Sequence, residues 1–275
     1  MTRSRFADAI KEIGALPIQR VASLVPAALG SNLQRLPRPL TFGLVGPFNN
    51  QRRRQAAVEA IFAAMPFSSV VETGTHRALT TLYLRSITDA PIATIEVNPR
   101  YHEDARRRIG ATPGISALLG ESTTVLGELR QDPDWTGGPT FFYLDAHWLD
   151  HLPLVEELRL IAGGWQDFVA LVDDFEVPGD RGYGHDDYGP EKKLARPLID
   201  VPELSGLHLY WPVARSHMES GARRGWAVVC SPGMAAAALD GLAELRPDGV
   251  LGLPAGTVTE AFNGDVRPAN GGANR

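Results

Sequence analysis

This 275-residue sequence has a single cysteine and no excess of basic residues. Its single cysteine, Cys230, cannot form an internal disulfide, and no cysteine cluster is present to hold zinc. The net charge of -5 and the pI near 5.8 argue against a nucleic-acid-binding protein that works through bulk charge. We therefore expect a reducing, cytoplasmic setting and no nucleic-acid partner.

Long hydrophobic runs are also missing, although 44% of the residues are hydrophobic and can fill a sizeable core. No apolar stretch approaches the roughly 20 residues that a membrane-spanning helix requires. Asp8, Lys11 and Glu12 interrupt the apolar segment that would have to follow the basic first residues of a secretion signal. We expect neither a membrane span nor a secretion signal.

Composition divides the chain into three regions. Residues 1–65 are predicted to form a helical N-terminal cap, although prolines interrupt its first 40 residues. For this cap, a lid over an active site and a dimer contact, and hence a homo-oligomer, both stay open. Residues 66–262 are expected to form the main domain, and the polar, Gly- and Asn-rich residues 263–275 a disordered tail.

From residue 68 onward, short apolar runs alternate with helix-length stretches, which is typical of a parallel α/β sheet. Strands are predicted at 68–72, 92–96, 115–119, 140–145, 168–173 and 226–230, with a further strand near 207–210. Helices are predicted at 78–87, 99–109, 121–130, 152–162 and 234–244. This order predicts an α/β fold with a doubly wound, mostly parallel, Rossmann-like sheet and helices on both faces.

Acidic residues follow the first three apolar runs, at the edge where open α/β sheets bind ligands. The runs lead into Glu72-Thr73-Gly74-Thr75, Glu96 and Gly120-Glu121-Ser122. A dinucleotide-binding fold would show Gly-x-Gly-x-x-Gly after the first strand, which this sequence lacks. An acid can instead meet a cationic cofactor there, and Glu96 can accept two ribose hydroxyls. The order favours a nucleoside-type cofactor that carries positive charge.

These three motifs resemble the successive cofactor motifs of class I S-adenosylmethionine-dependent methyltransferases, over roughly residues 68–230. The resemblance implies the following cofactor-binding residues: Glu72, Gly74, Thr75, Glu96, Glu121 and Ser122. Within that class, segments 143–147 and 171–175 resemble the metal-dependent O-methyltransferases of the macrocin type, which act on sugar hydroxyls of natural products. Two departures stand out. Ala78 occupies a position where a further glycine is often found, and His147 lies one residue closer to Asp145 than the base histidine of some relatives.

Three aspartates end the fourth and fifth predicted strands, namely Asp145, Asp173 and Asp174. Adjacent strands lie about 4.8 Å apart, so these carboxylates can converge if the fifth strand ends at this point. Carboxylates so close together raise one another's pKa unless a cation lies between them. The sequence therefore predicts a divalent-metal site formed by all three aspartates, with Mg²⁺ as the simplest occupant.

Asp145 and His147 are the predicted catalytic residues, with His147 as the general base. A second candidate base is His185, in the loop 182–189, which either binds an acceptor or is merely exposed. His147 and His151 could also form a metal-binding pair on one helical turn, although Trp148 and the nearby leucines indicate an ordinary packed helix.

Three consecutive arginines, Arg52 to Arg54, fall in the first turn of a helix predicted over 51–65, which Asn49 or Asn50 is placed to cap. Cations at this end oppose the helix dipole by about 0.3–1 kcal/mol each. Unless the face is merely solvated, at least one arginine should meet an anion, such as a carboxylate of cofactor or substrate.

Together these patterns predict an S-adenosylmethionine-dependent O-methyltransferase that uses a divalent metal. The resemblance implies a small hydroxylated acceptor such as a sugar. Two alternatives stay open. A metal-dependent hydroxylase or oxidoreductase could use the same aspartates, although iron sites of that kind usually contain two histidines. A non-catalytic nucleoside-binding module would have no need for converging acids on the fourth and fifth strands.

Overall fold

The computed structural model describes residues 46–148 and 151–253. The first 45 residues of the predicted cap and the predicted tail over 263–275 lie outside these ranges, so both stay predictions. The strands are β1 (Ser69–Thr73), β2 (Ile92–Glu96), β3 (Ile115–Leu119), β4 (Thr140–Leu144), β5 (Phe168–Asp173), β6 (His208–Pro212), β7 (Trp226–Cys230) and β8 (Leu245–Val250). The α-helices are α1 (Arg52–Ala64), α2 (Leu79–Ile87), α3 (Pro99–Ile109), α4 (Ser122–Leu129), α5 (Pro133–Thr136), α6 (Leu154–Gly164), α7 (Arg196–Ile199) and α8 (Met234–Leu239).

The described strands form one sheet in the order β3-β2-β1-β4-β5-β7-β6-β8. Strands β1 to β5 are parallel, β7 runs antiparallel between β5 and β6, and β8 pairs antiparallel with β6. Six of these eight strands therefore point the same way, and their carboxyl ends meet at one edge. The predicted α/β fold with a mostly parallel Rossmann-like sheet is confirmed.

Side chains of successive strand residues enter two separate cores, one on each face of the sheet. On β4, Phe141 and Tyr143 lie in the core that α1, α2 and α8 cover, whereas Phe142 and Leu144 lie in the core under α4 and α6. The same alternation runs along β5, where Val169 and Leu171 share the α1 face. By this period of two, Asp173 belongs on the α1 face.

Helix α1 begins differently from the sequence expectation. Its N-cap is Gln51, with no capping hydrogen bond from a side chain, so the prediction that Asn49 or Asn50 caps this helix is wrong. The carboxylate of Glu219 instead accepts the backbone N–H groups of Arg53 and Arg54, at 3.0 and 3.1 Å. A carboxylate at this position offsets the unfavourable arginines in the first turn.

Among the described strands, β8 is the one that the sequence pattern did not reveal, and the short helices α5 and α7 were not predicted either. Strand β8 contains Pro247 and Gly249, two residues that are depleted from strands, and proline is tolerated there because β8 is an edge strand. The preceding helix α8 is accordingly shorter than the predicted 234–244, ending at Leu239. No helix within the described residues is long and apolar enough to cross a bilayer.

Candidate functional site at the carboxyl edge of the sheet

Gly74 fixes the segment that carries Asp145. Its φ of +86° is left-handed, and a Cβ at this position would lie 2.2 Å from the backbone oxygen of Asp145. The Asp145 N–H in turn donates to the carbonyl of Thr73 at 3.0 Å. Only glycine fits here, because any side chain would collide with the backbone that follows β4. The glycine predicted for close ligand approach therefore also positions Asp145.

Asp173 ends β5 on the α1 face, where it meets Arg54. The two side chains form an ion pair of 2.6 Å and are 1% and 0% exposed. Arg54 also donates to the carbonyl of Arg224 at 2.6 Å. One of the three arginines thus meets an anion as predicted, and that anion is a carboxylate of the chain itself. Arg52 and Arg53 are exposed.

Asp145, His147 and Asp174 form a second group at this edge. We call this side of the site the outer side, because the carboxylates of Asp145 and Asp174 are more exposed than that of Asp173. Each offers one ligand atom, and these three atoms lie within 4.8 Å of one another. His147 Nε2 is 3.9 Å from Asp145 Oδ1 and 3.8 Å from Asp174 Oδ2, too far for direct hydrogen bonds. This nitrogen is buried and has no hydrogen-bond partner among the described residues. A buried polar atom in this position is suited to an atom or ion between the three side chains.

The electrostatics of this group follow from crowding. Burial raises the pKa of Asp145 well above its ordinary value, and the charges of Asp173 and Asp174 raise it further. Burial would also raise the pKa of Asp174, but His147 and Arg224 lower it below the usual range. For His147, burial lowers the pKa, yet the two flanking carboxylates raise it to about 9. Without another cation the imidazole therefore holds a proton at neutral pH, and His147 is then not free to accept one as a general base.

Arg224 is a residue of the site that sequence reasoning missed. Its guanidinium pairs with Asp174 and with the buried Asp186, so it connects the end of β5 to the loop over 182–189. This loop is ordered: Asp186 N–H donates to the Asp174 carbonyl at 2.9 Å, and Tyr183 is 2% exposed. In the sequence, Arg224 is distinguished by its position just before β7. That position predicts a contact with Asp174 only once β7 is known to pair antiparallel with β5.

Glu72 lies inside the sheet rather than at its edge. It is 1% exposed and accepts hydrogen bonds from the hydroxyls of Thr81 and Thr94. Burial raises its pKa to about 7, although these two hydrogen bonds act in the opposite direction. Thr75 shares this network through a 2.6 Å contact with Thr94. This buried network of hydrogen bonds joins β1, β2 and α2 to the turn that follows β1.

Glu96 is the predicted cofactor residue most clearly located at the edge. One oxygen accepts the N–H of His76 at 2.8 Å, and the other accepts the N–H of Asn98 at 2.9 Å. Val97 and Leu119, which follow or end the neighbouring strands β2 and β3, are 53% and 51% exposed. The ends of β2 and β3 thus combine an acid with uncovered apolar side chains.

The remaining predicted residues lie around this edge. Glu121 precedes α4 and pairs with His151 at 3.2 Å, both being about half exposed. Trp148 and His151 form reciprocal backbone hydrogen bonds in an antiparallel bridge, so His147 and His151 are not neighbours on a helix. Ser122 is buried beside the carboxyl of Glu157. His185 is half-buried in the ordered loop and lies outside the three-residue group.

Comparisons with known proteins give neither a matching family model nor a matching curated protein. Among solved structures, the chain is similar to the O-methyltransferase TomG from Streptomyces achromogenes, with 17% identity, 66% and 80% of the two chains covered, and a TM-score of 0.47. A SAM-dependent methyltransferase from Aquifex aeolicus has 15% identity, 73% and 96% coverage, and a TM-score of 0.46. The amino pentose methyltransferase CalS10 from Micromonospora echinaspora has 14% identity, 65% and 90% coverage, and a TM-score of 0.44. Similarity at this level leaves the function to be inferred from the residues themselves.

Proposed function

We propose that this protein is an S-adenosylmethionine-dependent O-methyltransferase, which acts on a hydroxyl of a small metabolite with the help of a divalent cation. The observation that carries the proposal is that Glu96, an acid suited to ribose, and the group of Asp145, His147 and Asp174 share one edge of the sheet. The turn after β1 joins them, because Gly74 packs on Asp145 while the N–H of His76 donates to Glu96. Cofactor and acceptor would therefore be held next to each other.

The residues near Glu96 fit the nucleoside part of the cofactor. Each Glu96 oxygen accepts one backbone N–H, which leaves lone pairs for the two ribose hydroxyls. The exposed side chains of Val97 and Leu119 offer apolar surface to a flat base. When bound, this cofactor supplies a methyl group on a positively charged sulfur. The surplus of carboxylates at the edge favours that positive charge over the pyrophosphate of a dinucleotide.

The metal set that we propose is Asp145, His147 and Asp174, with His147 in place of the predicted Asp173. The unpartnered Nε2 of His147 and the two flanking carboxylates are a donor set that fits a divalent transition metal such as Mn²⁺ better than Mg²⁺, which prefers oxygen donors alone. Such a cation would supply the charge that lowers the pKa of an acceptor hydroxyl. Asp145, whose side chain is 27% exposed, is the ligand most open to the acceptor.

Cofactor binding is the first test. S-adenosylhomocysteine should stabilise the protein, by about 2.7 kcal/mol at 100 times its dissociation constant, and Glu96→Ala should weaken that effect. Glu103→Ala is the matched control, because Glu103 is an exposed glutamate on α3 whose ion-pair partner among the described residues is Arg107. Stabilisation by NAD(H) without any response to S-adenosylhomocysteine would reject the proposal.

Turnover separates methyl transfer from the alternatives. With methyl-labelled S-adenosylmethionine and a panel of sugars and phenols, label should appear in an acceptor only when Mn²⁺ or Mg²⁺ is present. Acceptor oxidation that depends on dioxygen would instead identify the hydroxylase alternative. Cofactor binding without turnover of any acceptor would favour the nucleoside-binding module.

A further inference from the structure

Asp173 has no free coordination position. Its Oδ1 accepts from Arg54 Nη1 at 2.6 Å and from the Asp174 N–H at 2.7 Å. Its Oδ2 accepts from Asn49 Nδ2 at 3.0 Å and from the hydroxyl of Tyr143. A carboxylate offers about four lone-pair sites, so these four donors occupy all of them. A metal could bind Asp173 only by displacing one of these buried donors.

The turn that supplies Asn49 is held in an unfavourable conformation. Phe48, Asn49 and Asn50 have φ values of +50°, +58° and +57°, although none of them is glycine. Non-glycine residues in this region are uncommon, and strain of this kind tends to be retained at functional sites. Here it delivers the Asn49 amide to Asp173 and stacks Phe48 edge-on against the ring of Tyr143, with 5.1 Å between the ring centroids.

Two of the donors on Asp173 lead directly to the outer carboxylates. The Asp174 N–H bond fixes the backbone at a residue whose φ of +53° turns the chain out of β5. The Tyr143 hydroxyl lies 3.3 Å from Asp145 Oδ2 while it donates to Asp173. One buried carboxylate is thus linked to Asp174 through the backbone and to Asp145 through Tyr143.

We propose that Asp173 is a positioning residue, and that Arg54, Asn49 and Tyr143 hold it so that it sets the separation of Asp145 and Asp174. The inference rests on the proposed function for its reaction and its cation, while the arrangement of side chains can be tested without either. Asp173 touches neither cation nor acceptor in this assignment. Tyr143 is the connection that can be removed without emptying the core, because phenylalanine keeps the ring against Phe48.

Tyr143→Phe is the central test, with Tyr210→Phe as its matched control. Tyr210 is equally buried, lies on β6, and donates to Asp240 at 2.7 Å, away from this site. We expect Tyr143→Phe to lower the affinity for Mn²⁺, measured by calorimetry, about 10-fold to 100-fold, as loss of a partner behind a ligand usually does. The kcat should fall while the KM for S-adenosylmethionine stays unchanged, and Tyr210→Phe should change neither. Equal Mn²⁺ affinity and kcat in Tyr143→Phe and the parent protein would overturn the inference.

Asp173→Asn distinguishes positioning from direct ligation. If Asp173 is a positioning residue, this variant keeps weakened Mn²⁺ binding, whereas Asp174→Asn loses it altogether. If both variants lose Mn²⁺ binding completely and still bind S-adenosylhomocysteine, which shows that they are folded, then Asp173 is a metal ligand and the inference is wrong. If the parent protein binds no Mn²⁺, the metal part of the proposed function fails, and crystal structures decide the inference. A changed Asp145 rotamer in Tyr143→Phe would support it, and an unchanged one would reject it.

Discussion

Asp173 and Asp174 are neighbours in the sequence, but they occupy two opposite kinds of environment. Asp173 points to the α1 face, where it is 1% exposed and accepts four hydrogen bonds, one of them from a buried arginine. Asp174 turns towards Asp145 and His147 and pairs with Arg224, whereas His147 Nε2 stands 3.8 Å from Asp174 and 3.9 Å from Asp145 without a hydrogen bond to either. A saturated carboxylate stabilises the fold, and an incompletely partnered group can bind. The positive φ of Asp174 separates the two roles.

The largest effect on stability should come from the Asp173 side of this comparison, where the carboxylate accepts four hydrogen bonds. Arg54→Met leaves Asp173 charged and buried without its cation, which we expect to cost about 3–5 kcal/mol in the free energy of unfolding. Urea denaturation measures this cost. Arg53→Met, one residue earlier in the same helix but exposed, should change stability by less than about 0.5 kcal/mol. Similar stabilities for the two variants would mean that the pair contributes nothing that a methionine cannot replace.

The next largest effect on stability should come from Gly74→Ala, which changes the packing against Asp145 on the outer side. The new Cβ would meet the Asp145 backbone oxygen at 2.2 Å and would also force alanine into a φ of +86°. We expect a loss of about 2–4 kcal/mol, made of overpacking and left-handed strain. Gly179→Ala isolates the strain, because Gly179 has a φ of +77° and a Cβ added there would have no atom within 4 Å. Its cost should be about 1–2 kcal/mol. Equal losses in both variants would show that the contact with Asp145 can relax.

A third buried acid, Glu72, sharpens the comparison because its partners within residues 46–148 and 151–253 are hydroxyls and include no cation. Its pKa is raised from 4.5 in the unfolded chain to about 7, so the folded state binds the extra proton between these values. The contribution of this proton to the free energy of unfolding is fully present below pH 4.5 and is lost as the pH rises through 7. Glu72→Gln removes this dependence. The variant's stability relative to the parent should therefore be about 2–3 kcal/mol higher at pH 8 than at pH 5. Parallel stability curves across this range would show that Glu72 titrates normally.

The parallel part of the sheet was predictable because β1, β2, β4 and β5 are buried along their whole length and appear as short, mostly apolar runs, and the partly exposed edge strand β3 carries a similar run. The predicted ends of β1 to β5 agree with the structure to within about one residue. Strand β8 was not predictable in this way, since Pro247 and Gly249 hide it and its pairing depends on an edge that only the folded sheet provides. Local pattern identifies elements that fill a core and misses those that merely cover an edge.

For the site, the sequence located the acids but not their partners. Asp145 and Asp174 were found because both follow apolar strands that end at one edge. The pairing of Arg54 with Asp173, across 119 residues, depends on α1 packing over the Tyr143 face of the sheet, which no local pattern specifies. Likewise, His147 faces the carboxylates because of the turn after β4, and Arg224 because β7 runs antiparallel to β5.

The smallest effect should come from the half-exposed pair of Glu121 and His151, in which the basic partner is an imidazole that is charged only when protonated, rather than an always-charged guanidinium. Water screens the 3.2 Å contact, so a double-mutant cycle with Glu121→Gln and His151→Gln should give a coupling of about 0–0.5 kcal/mol, falling further in high salt. Glu121 is nonetheless a proposed cofactor residue at the start of α4, so Glu121→Gln should weaken S-adenosylhomocysteine binding while leaving the unfolding curve unchanged. His151→Gln, its partner in the cycle, controls for loss of the pair itself. A coupling above about 1 kcal/mol would mean that the pair is shielded from water as the interior pair is, and that burial does not explain the difference between the two sides.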